Sequence, residues 1–171
     1  MEEASFNLWK TIRSQILNIV YNKDLECLFK TPNGLSNNLI WLFGHIALVR
    51  EMLILKLSIQ KINFPEILID MFIKGSSPKN WKWDQDKIVL ANGSRLTKIE
   101  LWKTLLDFEE KEFVFLLNFL QERFKNYSIQ IESPYQTSIG FVIDNLYKSL
   151  EYNIVHESIH LGQMQLYHKL C

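Results

Sequence analysis

An all-α protein, built as a four-helix bundle with a long connection between its second and third helices, is the fold this sequence predicts. Three observations carry that expectation. Apolar residues recur at helical spacing through four long stretches, turn residues separate those stretches, and no convincing run of alternating strand residues interrupts them. With 171 residues, 47% of them hydrophobic and 22% charged, the chain suits one domain (1–171) that can bury a sizeable core.

The first stretch sets Trp9, Ile12, Ile16, Ile19 and Val20 on one face and fades near Phe29, where Thr31-Pro32-Asn33-Gly34 supplies a turn. The second, from about Asn37 to Ser58, gathers Asn38, Trp41, Leu42, His45, Val49 and Met52 within one stripe. Residues 61–95 contain Pro65, Gly75, Pro78 and Asn92-Gly93 and read as a short helical segment after Pro65, ending before Gly75, and then a long connection. Connections of that length are uncommon unless functional. Within it, Trp81-Lys82-Trp83 either closes over a pocket mouth or pins the loop to the bundle by packing.

The third helix opens at Thr97, where Glu100 completes a capping box and Leu96 with Leu101 a hydrophobic staple. Its core stripe is Trp102, Leu105, Leu106, Phe113, Leu116, Leu117, Leu120 and Phe124. A second connection, Asn126 to Gln136, includes Pro134 and favours extended or turn structure. Thr137 or Ser138 then caps a fourth helix that continues to Lys169.

Nineteen basic and nineteen acidic residues cancel, and no basic cluster interleaves with aromatics, so a nucleic-acid partner is not expected. The acidic start Met-Glu-Glu-Ala-Ser is unlike a signal peptide. The longest apolar run, Leu39 to Val49, is too short to span a bilayer. These features predict a soluble cytoplasmic protein with no membrane partner. Cys27 and Cys171 form neither a zinc-spacing motif nor a disulfide framework and read as bystanders.

The fourth helix carries the chemistry. His156 and His160 are four residues apart, so both imidazoles leave the same helical face and can converge on one metal ion. His45, on the inner stripe of the second helix, is the candidate third ligand. Measured from His156 at about 100° per residue, Asn145, Ser149, Tyr152, Asn153, His160, Gln163 and Tyr167 form a polar strip. Val155, Ile159 and Leu166 border it on one side; Leu146, Leu150, Leu161 and Met164 border it on the other. Asp144, Glu151, Gln165 and Lys169 mark the opposite, solvent face. A polar strip with apolar margins is expected to face the interior, where a metal or ligand compensates its burial. His168 lies roughly 12 Å further along the axis and reads as a surface residue or a partner of the helix dipole.

Three neutral imidazoles leave coordination positions open, as catalytic sites do, and suit Zn, Ni or Fe. Glu157 falls about 100° from His156. It either orients a ligand imidazole, acts as a base, or forms an ion pair at the helix interface or a surface charge. Asn38 and Gln163 lie on the faces of their neighbouring histidines. With Trp41 and Asn153 on the same stripes, they are candidates for binding substrate or water beside the metal, or for satisfying one another. The letters His156-Glu157-x-x-His160 also match zinc peptidases, but only eleven residues follow His160, and the positions of an extended peptidase motif hold Gln163 and Leu166. Gly162 costs about 1 kcal/mol inside a helix relative to Ala, which suggests the close approach of another helix.

Asn38-x-x-Trp41-x-x-x-His45 in the second helix, with His156-Glu157-x-x-His160-x-Gly162-Gln163 in the last, resembles the DinB-like superfamily over nearly the whole chain. The resemblance implies a four-helix bundle, commonly a homodimer, with a divalent metal on His45, His156 and His160. It also implies a small-molecule substrate and, in some members, transfer of a low-molecular-weight thiol such as bacillithiol or mycothiol onto an electrophile. A metal-dependent thiol transferase is therefore the expected function. A metal-dependent hydrolase is the nearest alternative, and a non-catalytic metal- or ligand-binding bundle the other.

Overall fold

The computed structural model describes residues 2–58, 60–126 and 129–170; Cys171 lies outside them. Among the described residues the chain is mainly helical, with six α-helices and two small antiparallel sheets. In α1 (Glu2–Tyr21) the face carrying Trp9, Ile12, Ile16, Ile19 and Val20 is buried as expected. It stops at Tyr21 instead of fading near Phe29. Asp24 starts a separate short helix, α2 (Leu25–Phe29), by accepting the Cys27 N–H at 2.8 Å.

The second long helix, α3 (Leu39–Ile54), is shorter at both ends than the apolar pattern predicts. Asn38 stands outside it as the N-cap, its Oδ1 accepting the Trp41 N–H at 2.9 Å, and the tail tightens into a 3-10 turn at Lys56–Ser58. Ile40, Phe43, Ala47 and Leu48, off the expected stripe, are also buried, so α3 is enclosed on nearly all sides. It contacts α1, α2, α5 and α6.

After Pro65 a 3-10 turn (Glu66–Leu68) leads into α4 (Ile69–Phe72), which ends before Gly75 as the sequence predicts. The connection beyond it is not structureless. Strands β1 (Lys82–Asp84), β2 (Lys87–Val89) and β3 (Arg95–Thr97) pair antiparallel in that order. Three-residue strands are too short to show an alternating pattern, so hydrophobic periodicity does not reveal them. Helix α5 (Lys98–Lys125) begins with the expected capping box: the Glu100 N–H donates to Thr97 Oγ1 and the Thr97 N–H to Glu100 Oε2.

Two acids in α5, Glu109 and Glu112, are buried among its apolar residues. Glu51 of α3 is fully enclosed, its Oε2 accepting the Phe64 N–H at 2.6 Å, while Asn63 donates to Glu112. Burial, followed by the facing Glu112 carboxyl, pushes the Glu51 carboxyl up from 4.5 to about 8. Between those values the folded chain holds a proton that the unfolded chain releases, so this group's contribution to stability falls as pH rises. Glu51→Gln should therefore flatten the pH dependence of the melting temperature between pH 5 and 8, with its largest relative gain at pH 8. A parallel offset from wild type across that range would contradict the assignment.

The second connection holds a hairpin of β4 (Gln130–Gln136) and β5 (Val142–Asn145), and the last helix, α6 (Leu146–Leu170), begins at Leu146, not at Thr137 or Ser138. Thr137 closes the hairpin turn instead, with its Oγ1 accepting the Phe141 N–H at 3.0 Å and Gly140 taking φ +83°. Asn145 then receives the Lys148 N–H at 3.0 Å and starts α6. Asp144 consequently belongs to β5 and not to a helix face. Helices α1 and α3 pack along α6, and no helix among the described residues is long and apolar enough to cross a membrane.

Candidate metal centre

His45, His156 and His160 come together between α3 and α6. One ligand nitrogen from each can be chosen so that all three lie within 4.8 Å of one another. His156 Nε2 and His160 Nε2 are 3.1 Å apart. Two nitrogens bound tetrahedrally to one ion at zinc–imidazole distances stand about 3.3 Å apart, so the pair is close to ligand spacing without rearrangement. The His45 ring lies 5.3 Å from that of His156 and 5.0 Å from that of His160, centroid to centroid.

Their protonation also fits a cation. His45 Nδ1 lies 2.7 Å from the Phe72 carbonyl, which can only accept, so Nδ1 carries the proton and the Nε2 lone pair is free. His160 Nδ1 makes the equivalent bond to Gln163 Oε1 at 2.7 Å. Burial holds His45 at about 4 and His156 at about 3, with repulsion between the facing imidazoles adding to it; His160 is also lowered by burial. Neutral imidazoles are the donor set that Zn, Ni or Fe requires, and these three residues fit such an ion once the proton between the His156 and His160 Nε2 atoms moves to His156 Nδ1.

His45 is set by a clamp from outside the long helices. Gly44 lets α4 sit directly on α3: a Cβ at this position would meet the Phe72 ring at 2.5 Å. Phe72 is fully buried between Phe64 and Trp81, each edge-on to it. Trp41 stacks on the His45 ring at 4.6 Å and donates through Nε1 to Ser76 Oγ at 3.0 Å. Ser76 in turn donates to the Met71 and Ile73 carbonyls, which closes the turn after α4. Gly44→Ala should displace Phe72 and its carbonyl together. The expected cost is about 1–3 kcal/mol, with weaker metal retention, read by thermal melting and elemental analysis. Unchanged metal retention would remove the clamp's role at His45.

The other candidate residues divide. Gln163 and Trp41 touch the histidines as described. Asn38 is committed to the backbone, capping α3 and donating to the Phe29 carbonyl at 3.0 Å. Asn153 is buried and donates to Glu157 Oε1 at 2.9 Å. Glu157 takes the ion-pair alternative at the helix interface. Its Oε1 accepts from Arg50 Nε at 2.8 Å and from Trp9 Nε1 at 3.0 Å.

Arg50 extends the same network to Glu109, with Nη1 at 2.9 and 2.7 Å from the two carboxylate oxygens, and Arg13 reaches Glu109 Oε1 at 2.9 Å. Four helices are thereby joined through charges of which the sequence pattern marks only Glu157. The signal was available: Arg50-Glu51 are the only charged residues between Leu39 and Leu55 in an otherwise apolar helix.

The margins of the polar strip on α6 are unequal. Leu146, Leu150 and Met164 are buried, whereas Val155, Ile159 and Leu166 are 46%, 56% and 53% exposed. α1 and α3 both pack on α6, and the second margin is left open. Among the described residues nothing outside the adjacent helical backbone lies within 4 Å of a Cβ placed on Gly162, so no neighbouring element among them explains the glycine. In Trp81-Lys82-Trp83, Trp81 does the pinning, edge-on to Phe29 and Phe72, while Trp83 is exposed. No family model matches this chain, and no curated protein is significantly similar to it.

Proposed function

We propose that this chain is a DinB-like four-helix bundle in which His45, His156 and His160 hold a divalent metal, and that it is a metal-dependent thiol transferase. The observation that carries this reading is the convergence of three neutral imidazoles, two with their Nδ1–H groups already engaged so that Nε2 is the nitrogen left for a metal. The ordered motif containing Asn38, Trp41, His45, His156, Glu157, His160 and Gln163 supports the family assignment. A bound divalent ion would favour the thiolate form of a low-molecular-weight thiol near neutral pH. Transfer would form a bond from that sulfur to an electrophilic carbon of a small-molecule substrate as the bond from that carbon to its leaving group breaks; the leaving group departs with the electron pair, and the thiol's proton goes to it or to solvent.

The protein's own part is to position and to exclude. The Phe72 carbonyl and Gln163 orient two ligand rings, Trp41 covers one face of His45, and burial keeps all three imidazoles unprotonated. The hydrolase alternative needs a base for water. Glu157, the acid nearest the histidines in sequence, is fully enclosed and ion-paired with Arg50, so it is not presented to a substrate water, which favours a nucleophile that ionises readily by itself.

Incubation of metal-loaded protein with bacillithiol, mycothiol or cysteine and a panel of electrophiles tests the reading. Thiol adducts that form with wild type and not with His160→Ala of retained fold are expected. Ester hydrolysis without thiol would replace it with the hydrolase. Metal-dependent stability with no product of either kind would replace it with a non-catalytic metal-binding bundle. A homodimer is part of the same proposal: the exposed Val155, Ile159 and Leu166 share one side of α6 with the open Gly162.

A further inference from the structure

Three buried polar atoms on one stretch of α6 have no hydrogen-bond partner among the described residues: Asn153 Oδ1, His156 Nδ1 and Glu157 Oε2. Asn153 and Glu157 are fully enclosed and His156 is half-buried, with its Nδ1 out of contact with solvent. Three donors, from Trp9, Arg50 and Asn153, converge on Glu157 Oε1 and leave Oε2 with none. The 2.9 Å bond from Asn153 Nδ2 holds that carboxylate one turn back along the helix, and a histidine side chain on a helix leans the same way, toward the N-terminus. The orphans therefore gather around the turn that contains Asn153.

Their chemistry is complementary to one molecule. His156 Nε2 lies against His160 Nε2; once a metal takes the Nε2 lone pair, the one proton of the neutral ring sits on Nδ1, which is then a donor, while the other two atoms are acceptors. A water accepts one hydrogen bond and donates two in such a setting, and buried waters typically make about three. We propose that one buried water accepts the His156 Nδ1–H and donates to Asn153 Oδ1 and Glu157 Oε2, which makes Asn153 and Glu157 positioning residues of the metal centre. His45 has the Phe72 carbonyl and His160 has Gln163 for this purpose; the water supplies the third support. It also links the Arg50–Glu157 ion pair to a ligand ring, so the buried charges bear on how strongly that ring donates. The inference rests on the metal-centre reading given above.

Zinc affinity by chelator competition, His156 Nδ1–H detection by NMR and a high-resolution crystal structure of the zinc-loaded protein test it. Asn153→Leu preserves volume and removes one acceptor, and Glu157→Gln puts a donor where Oε2 stood. Each is expected to weaken zinc binding by about 10-fold or more. In Asn153→Leu the slowly exchanging His156 Nδ1–H resonance should broaden while that of His45 persists, which a general loss of structure would not produce. Density for a water within hydrogen-bond distance of all three atoms is expected. If Glu157→Gln does not fold, Asn153→Leu decides. Wild-type affinity in that variant with an unchanged His156 resonance, or no water in the density, overturns this inference alone; wild type that takes up no zinc overturns the metal-centre reading and this with it.

Discussion

Arg50→Ala should destabilise the folded chain by about 3–5 kcal/mol, which for a domain of this size lowers the melting temperature by about 6–20 °C. Arg50 is 2% exposed and is the cation shared by Glu109 and Glu157, which are 1% and 0% exposed. Its removal strands two carboxylates in the interior, with only Arg13 left on Glu109. The loss therefore comes from uncompensated charge more than from the lost attraction. Arg50→Met combined with Glu109→Gln and Glu157→Gln should recover much of it, because neither carboxylate is then left charged. Circular-dichroism melting of the two variants decides; a single variant that melts within 2 °C of wild type would show that the network contributes little.

Zinc at about 100 times its dissociation constant should stabilise wild type by about 2.7 kcal/mol, or about 5–10 °C. His45→Ala and His160→Ala should show no such gain, because two imidazoles remain of three and the clamp or the Gln163 contact loses its ring. Acid should destabilise the metal-free chain. Unfolded histidines take a proton near 6.5, while the folded state resists to about 4 at His45 and about 3 at His156, so stability is present above 6.5 and is lost as pH falls through the folded values. Melting with and without zinc, from pH 8 to 4, measures both effects. A histidine variant that keeps the full zinc shift would remove that residue from the centre.

Much of the candidate site was legible because helical spacing is a local property. The four-residue step from His156 to His160 and the inward stripe of His45 needed only the period of the helix. Thr97 and Glu100 were equally plain, since a capping box is made by neighbours in sequence. The start of α6 was misplaced for a related reason. Thr137 is a good cap residue, but Gly140 and the apolar run Phe141-Val142-Ile143 favour a hairpin, and a hairpin depends on pairing with residues 130–136. The three short strands between Lys82 and Thr97 were hidden likewise.

By itself the sequence determined the mainly helical architecture and the histidines able to share one ion. Tertiary structure alone decided that Phe72 offers its carbonyl to His45, that Glu157 turns to Arg50 and Trp9, and that only one margin of α6 is covered. These contacts join residues far apart in the chain, 148 positions in the case of Trp9 and Glu157. Periodicity states which face of a helix is apolar or polar; which neighbour meets that face is set by how the helices pack.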